Sequence, residues 1–195
     1  MNYAQVRKEE TRKRIVETAS RLFQEKGVDG VGVDEIMRES GLTHGGFYGH
    51  FRNKEQLVAE ACACAVEMKS GEIKAKLKGV PKNEAFALFV SEYLDCTSHA
   101  DCPFAMLGGD VARRGDEVRE MYTAEVSETV DYMTKSLGCG REEALLTFAA
   151  VVGASTVAKA SSDPKLAEEI VRTVREQLTR IAAERCGAKV PANVA

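Results

Sequence analysis

The sequence has few of the residues and patterns that interrupt or replace helices. It contains only four prolines among its 195 residues, and it has no internal repeat or low-complexity segment. Apolar and polar residues nowhere alternate over a useful length, as they would in a half-buried β-strand. Apolar residues instead recur at spacings of three and four, which predicts an all-α chain.

The sequence also lacks an uninterrupted apolar run near the roughly 20 residues that a membrane-spanning helix needs. Its first residues are polar and charged, and they do not form a signal-peptide pattern. We therefore expect a cytoplasmic protein without a membrane partner. In that compartment its six cysteines are expected to be reduced thiols and not a disulfide framework.

The net charge of −3 argues at first against a nucleic-acid partner, but the charge is unevenly distributed. Residues 1–54 contain 10 Lys and Arg against 8 Asp and Glu, a net of +2, whereas residues 55–195 contain 17 against 22, a net of −5. Five of the bases, Arg7 and Arg12 among them, lie between residues 5 and 14. Positive charge thus gathers at one end, which favours contact with phosphate there, although a solvated basic helix face is the alternative.

Two short helical patterns joined by a glycine turn lie between residues 32 and 51. The first ends at Gly41, where a helix C-terminus favours a left-handed residue, and Thr43 can cap the second. Phe47 and Phe51 are four residues apart, so they are expected to share one buried helix face. Exposed or N-terminal positions then remain for Thr43, His44, Gly45, Tyr48 and His50.

Two glycines, Gly45 and Gly46, open this second helix. Each costs a helix about 1 kcal/mol relative to alanine. That cost is understandable if the backbone must approach a partner closely, as a recognition helix does in the major groove of DNA.

At these positions the chain resembles the TetR family of bacterial transcriptional repressors. The matching residues, between about 10 and 60, are Ile15, Ala19, Leu22, Phe23, Gly27, Val33, Ile36, Gly41, Leu42, Gly45, Phe47, Tyr48, His50, Phe51, Lys54, Glu55 and Leu57. Gly32 stands where the family usually has Ser or Thr, and Met37 replaces a common alanine. Neither departure removes a DNA-facing group.

The resemblance implies a three-helix helix-turn-helix DNA-binding domain over residues 1–53, with the motif at about 32–51. A helical effector-binding and dimerisation domain would follow over residues 54–195, beginning with a connecting helix at 54–77. The implied function is that of a transcriptional regulator, a repressor that a small-molecule effector releases from a palindromic operator in double-stranded DNA. Since the sequence contains no nucleophile–base pair, no phosphate-binding glycine loop and no recognised metal motif, we expect neither an enzyme nor a cofactor.

The same resemblance assigns roles to individual residues. The Tyr48 hydroxyl and the Lys54 ammonium would contact phosphate, while Thr43 and His44 stand where family members touch base edges or a neighbouring phosphate. The alternative for Tyr48 and His50 is ordinary surface and core packing. The predicted DNA-binding set is Arg7, Arg12, Thr43, His44, Gly45, Phe47, Tyr48, His50 and Lys54.

Residues 141–185 form two helical patterns separated by Asp163-Pro164, a cap followed by a proline at a first helical position. In the family, two such helices join their symmetry mates as a four-helix bundle, so the resemblance implies a homodimer. An internal hairpin of a monomer is the alternative. The predicted interface consists of Phe148, Val152, Gly153, Ile170, Val174 and Leu178.

The middle of the chain is rich in aromatic residues and methionine, which at helical spacing usually form a core. Because family members bind effectors in this region, part of the set is expected to line a pocket. The predicted pocket residues are Tyr93, Phe104, Met106 and Tyr122.

Cys96, His99 and Cys102 follow one another at three-residue spacing. Such residues can bind zinc or form a thiol switch, but strong zinc sites use two separated ligand pairs and no second pair is visible. We therefore predict no metal, and we expect ordinary loop packing or pocket lining. A thiol-based redox-sensing regulator on the same fold remains the alternative function.

Overall fold

The computed structural model describes residues 3–95 and 102–185. These residues form α1 (Tyr3–Lys26), α2 (Val33–Glu39), a short 3-10 helix (His44–Gly49), α3 (Lys54–Leu77), α4 (Lys82–Leu94), α5 (Pro103–Val111), α6 (Asp116–Ser136), α7 (Arg141–Ala160) and α8 (Pro164–Arg185). No strand occurs within the described ranges, so the predicted all-α class is confirmed.

The ends of the helices fall where the sequence predicts turns. Gly41 follows α2 with φ +71°, and the Leu42 N–H donates to the Met37 carbonyl at 2.9 Å, which satisfies a terminal carbonyl of the helix. At the start of α8, the Asp163 carboxylate accepts a hydrogen bond from the Lys165 N–H at 2.9 Å, and Pro164 is the first helical residue. Both predictions are confirmed.

By packing, the chain divides into two compact units. The first contains the described residues up to Lys69 together with Met106–Glu125, and the second contains Ser70–Ala105 and the described residues from Val126 onward. The first unit is therefore larger than the predicted 1–53, since it also includes α3 as far as Lys69 and the parts of α5 and α6 within Met106–Glu125. The division of function after residue 53 stays a prediction.

The first unit is held together by a core that α1, α2, the 3-10 helix and α3 share with the adjoining parts of α5 and α6. The buried residues of this core include Ile15, Ala19, Leu22, Phe23, Ile36, Met37, Phe47, Phe51, Leu57, Val58, Leu107, Val111 and Val118. Among the positions matched by the resemblance, Ile15, Ala19, Leu22, Phe23, Ile36, Phe47, Phe51 and Leu57 thus form the scaffold behind the helix-turn-helix.

In the second unit, α7 packs against α8 and α4. Its buried face carries Ala144, Thr147, Val151, Ala154 and Ala158. Its opposite face is exposed and consists largely of small and apolar residues, which are Leu145, Leu146, Ala149, Gly153, Val157 and Ala160. Among the described helices, α7 is long and apolar enough to cross a membrane by length and composition alone, and most of its apolar stretch is not buried in the structure.

Candidate DNA-binding surface

The second helix of the motif is a 3-10 helix of six residues and not the predicted α-helix. The Gly46 N–H donates to the Thr43 carbonyl at 3.0 Å and the His50 N–H to the Phe47 carbonyl at 2.9 Å, both in the three-residue spacing of a 3-10 helix. Thr43 occupies the predicted N-cap position with extended backbone, but its side chain makes no capping hydrogen bond. A segment with three glycines in six residues has little intrinsic preference for the longer α-helix.

Two phenylalanines anchor this segment to the core. Phe47 and Phe51 are both almost completely buried, and their rings stack with centroids 5.4 Å apart. The prediction that they share a buried face is confirmed, although Phe51 lies beyond the end of the helix. Phe47 therefore supports the predicted surface from behind and is not exposed to a partner.

Several residues next to the Phe47 anchor are exposed. Tyr48 is 69% exposed and rests with its ring edge against Phe47, at a centroid distance of 5.3 Å. The His44 ring lies 6.2 Å from that of Tyr48, and its Nδ1 contacts the Asp34 carboxylate. Thr43 and Gly45 are also exposed. We call Thr43, His44, Gly45 and Tyr48 the recognition surface.

Nothing inside the first unit requires glycine at Gly45 or Gly49. Neither residue has a positive φ, and a Cβ atom built at either one meets no other atom within 4 Å. Gly27 is different, since its φ of +73° favours glycine and its Cβ would meet the Asp110 carboxylate at 3.4 Å. Gly45 and Gly49 therefore leave open space on the outer side of the backbone.

Arg12 and His50, two predicted DNA contacts, face partly inward. The Arg12 guanidinium donates to the His50 carbonyl and to the Glu60 carboxylate, and it lies 4.2 Å from the centroid of the Phe51 ring. The His50 ring is half-buried, and its Nδ1 has no hydrogen-bond partner within the described residues. Burial, with the nearby positive charges of Lys8 and Arg12, lowers the pKa of His50.

Lys54 and Arg7 differ in their surroundings. The Lys54 ammonium is half-buried and donates to the Val28 carbonyl at 2.8 Å. This burial, together with the positive charge of Arg114, lowers the pKa of Lys54. Arg7 is exposed on α1, with its guanidinium 5.9 Å from the Tyr3 ring. Phosphate contacts by these two residues remain predictions.

Sequence reasoning missed the polar contacts that fix the loop between α1 and α2. The Asp110 carboxylate accepts a hydrogen bond from the Val28 N–H at 2.8 Å. Arg114 bridges the Asp29 carboxylate and the Glu55 carboxylate, the latter at 3.0 Å. Between 59 and 85 residues of sequence separate these partners, and no local pattern marks them.

The four predicted pocket residues do not belong to one unit. Tyr93 and Phe104 are buried in the second unit, against Phe89 and Phe148 respectively. Met106 and Tyr122 are partly buried against the core of the first unit. Each pair packs as core side chains do within its own unit, and a shared pocket stays a prediction.

The predicted interface residues fall into two groups. Gly153 is exposed on the outer face of α7, while Val152, Ile170 and Val174 are half-buried. Leu178 is only 4% exposed and lies inside the second unit. Phe148 is half-buried and packs edge-on against Phe104 at 4.9 Å, so these last two residues contribute to the interior of the unit.

Of the predicted group of Cys96, His99 and Cys102, the first two lie outside the described residues. Cys102 and Cys139 are buried, and burial raises the pKa of Cys62 to about 12. No group of three or more His, Cys, Asp or Glu side chains is arranged to hold a metal ion within residues 3–95 and 102–185.

Comparison with known proteins gives matches that centre on the helix-turn-helix. Residues 15–61 match the family model "Bacterial regulatory proteins, tetR family". The uncharacterised HTH-type transcriptional regulator YerO of Bacillus subtilis is 30% identical over 124 residues, which cover 62% of this chain and 43% of that relative. The chain thus matches less than half of that relative's length.

Solved structures show the same fold over most of the chain. A TetR-family transcriptional regulator from Cytophaga hutchinsonii has a TM-score of 0.76 at 21% identity, with 95% of this chain and 98% of that chain covered. The regulator AibR, solved with isovaleryl coenzyme A and operator DNA, has a TM-score of 0.61 at 17% identity, with 87% and 98% covered. Together with the buried anchors and the glycine turn of its helix-turn-helix, the family-model match shows that residues 15–61 form a DNA-binding domain of the type found in the TetR family of bacterial regulatory proteins, and the solved structures show that most of the chain shares their fold.

Proposed function

We propose that this protein is a DNA-binding transcriptional regulator that represses from a palindromic operator. The recognition surface carries this proposal. Its side chains project outward from a short helix that two buried phenylalanines hold, and Gly45 and Gly49 leave the outer backbone uncovered for no internal reason. A helix backbone that must come close to the floor or wall of the major groove benefits from such a surface.

Electrostatics supports the same role. Residues 3–10 of α1 are all exposed, and Arg7 and Lys8 are among them. Lys13 and Arg14 are exposed on the next turns of the same helix. Exposed cations contribute to binding through the release of counterions from DNA, so their effect depends on salt concentration.

The second part of the proposal is a homodimer formed through α7 and α8. The outer face of α7 presents Leu146, Gly153 and Val157, and Leu166 and Ile181 are exposed on α8. A Cβ atom at Gly153 would meet nothing within 4 Å, so the helix can be approached closely there. A second copy is the partner we assign to this face, because reading a palindrome requires two-fold symmetry.

The third part is regulation by a small molecule in the cytoplasm. AibR, a structural neighbour, was solved with an acyl coenzyme A and operator DNA. By analogy, an effector that binds this protein would favour a state in which the two recognition surfaces no longer match successive major grooves. Reciprocity then requires that operator DNA weaken effector binding by the same factor, typically 5- to 150-fold.

The experiment is selection of operator sequences from random double-stranded DNA by the purified full chain. The expected product is a palindrome bound with salt-dependent affinity. Thr43→Ala and His44→Ala should change the preferred bases, whereas Tyr48→Phe should weaken binding to all sequences. Tyr132→Phe on α6 is the matched control, since it makes the same chemical change on another helix. Recovery of no palindrome would overturn the proposal.

The redox alternative is tested on the same protein–operator complex. Mild peroxide treatment, followed by mass measurement of the thiols, shows which cysteines react. Burial and the raised pKa of Cys62 oppose thiolate formation at that residue. If no small molecule releases the operator and oxidation alone does, a redox-sensing regulator replaces the effector-responsive one.

A further inference from the structure

One side chain on α1 joins the end of the 3-10 helix to α3. Arg12 projects from α1 and donates through Nη1 to the carbonyl of His50, at the end of the 3-10 helix. Its Nη2 donates to the Glu60 carboxylate on α3 at 2.5 Å. The guanidinium plane also covers the Phe51 ring, with 4.2 Å between the guanidinium carbon and the ring centroid.

The chemistry of this junction suits a guanidinium in particular. The last carbonyls of a helix have no partner inside the helix, and a cation near them is favoured. Only a planar fork can bond a carbonyl and a carboxylate at once while it stacks on an aromatic ring. A lysine ammonium supplies the charge but not this geometry.

The junction continues from Glu60 to the turn after the 3-10 helix. The Gln56 amide donates to the same Glu60 oxygen at 3.1 Å, and its own oxygen accepts a hydrogen bond from the Arg52 N–H at 2.9 Å. Both ends of the turn at residues 50–52 are thus tied to α3 through one chain of hydrogen bonds. Arg12 and Glu60 are each about one-third exposed, so solvent only partly screens their interaction.

We propose that Arg12 is a positioning residue that fixes the orientation of the recognition surface, with Glu60 as its partner, and that it is not a phosphate contact. This inference rests on the proposed DNA-binding function. The sequence predicts Arg12 to be a surface cation that contacts DNA. In this proposal it instead ties α1 to the end of the 3-10 helix and to α3. Loosening the tie lowers selectivity for the operator without removing a charge from the DNA interface.

The test compares the affinities for operator DNA and for random-sequence DNA of four variants. These are Arg12→Lys, Arg12→Met, Glu60→Ala and the double variant that combines Arg12→Met with Glu60→Ala. Removal of the negative charge of Glu60 would strengthen DNA binding if only charge mattered. We expect Glu60→Ala to weaken operator binding at least tenfold instead, without weakening binding to random DNA. Glu67→Ala, an exposed acid on the same helix α3, is the matched control and should leave operator binding unchanged or slightly stronger.

Arg12→Lys should lose as much operator affinity as Arg12→Met, and the double variant should be no worse than either single variant. The salt dependence of all four should equal that of the unaltered protein, whereas Arg7→Met should reduce the salt slope by about 0.9, the value for one phosphate. Helical circular dichroism confirms that each variant compared is folded. The operator affinity of Arg12→Lys remains informative if Arg12→Met unfolds.

Three results would overturn the inference: full affinity in Arg12→Lys, a salt slope lowered by one phosphate in Arg12→Met, or stronger operator binding in Glu60→Ala. Failure of the proposed function itself would give another result, which is that the unaltered protein does not distinguish any selected operator from random DNA.

Discussion

Both backbone polar groups of Val28 are satisfied by side chains that lie far away in the sequence. The Val28 N–H donates to the Asp110 carboxylate at 2.8 Å, and the Val28 carbonyl accepts from the Lys54 ammonium, also at 2.8 Å. Val28 itself is completely buried in the loop between α1 and α2. Because buried backbone groups need partners, this loop depends on α3 and α5 for its structure.

Removal of the Asp110 carboxylate should therefore destabilise the first unit. Asp110→Ala leaves the buried Val28 N–H without its acceptor, which typically costs about 1–3 kcal/mol. Urea unfolding measures the loss in the free energy of unfolding. Glu120→Ala, which removes an exposed carboxylate from α6, serves as the control, and an equal effect of the two substitutions would contradict the role of Asp110.

The glycines of the first unit should divide into two classes. Gly27→Ala places a side chain at φ +73°, beside the Asp110 carboxylate, and should lower the free energy of unfolding by about 1 kcal/mol or more. Gly45→Ala meets open space with a normal φ and should leave stability unchanged or higher. Gly45→Ala should nevertheless weaken operator binding, because the added methyl group occupies the outer side of the 3-10 helix. Normal operator binding by Gly45→Ala would mean that the DNA backbone or bases do not come close there.

His50 should make the protein less stable as the pH falls. Burial and nearby positive charge lower its pKa in the folded state below the ordinary value of 6.5. The unfolded chain therefore takes up a proton first, and stability is lost as the pH falls from about 6.5 through the lower folded pKa. Urea unfolding at pH 7.5 and pH 5.5 measures this loss.

His50→Gln is the comparison for that measurement, since glutamine does not titrate. The difference in the free energy of unfolding between the two pH values should be smaller in His50→Gln than in the unaltered protein. An identical pH dependence in both proteins would show that His50 does not contribute.

Dimerisation should depend on the outer face of α7. Leu146 and Val157 are 58% and 54% exposed, so Leu146→Asp or Val157→Asp leaves the fold of one chain intact. Each variant places an unpaired carboxylate in the proposed interface, which costs several kcal/mol of association free energy. Sedimentation should then show a folded monomer where the unaltered protein is a dimer at micromolar concentration.

Two controls separate association from folding. Ala124→Asp, at an exposed position of α6, should remain dimeric. Leu178→Asp should unfold the chain, because Leu178 is buried within the second unit. Dimers of unchanged stability in both α7 variants would assign the interface to another face.

The sequence alone determined the features that depend on neighbouring residues. Helix ends at Gly41 and Asp163 follow from backbone preferences and capping groups that are only a few residues long. The burial of Phe47 and Phe51 follows from apolar spacing within one short segment. The outward position of Tyr48 is predictable for the same reason, since it lies between those two anchors.

Only the tertiary structure decided what the long charged side chains do. Arg12 and Arg7 lie on the same helix, yet the first is tied to His50 and Glu60 and the second is exposed. Helical spacing cannot distinguish them, because the difference comes from the carbonyl and carboxylate that a distant part of the chain brings within reach of one of them. The same reason applies to Leu178, whose apolar face was predictable while the element that covers it was not. Periodicity identifies the side of a helix that is apolar, and only packing determines which neighbour, if any, buries it.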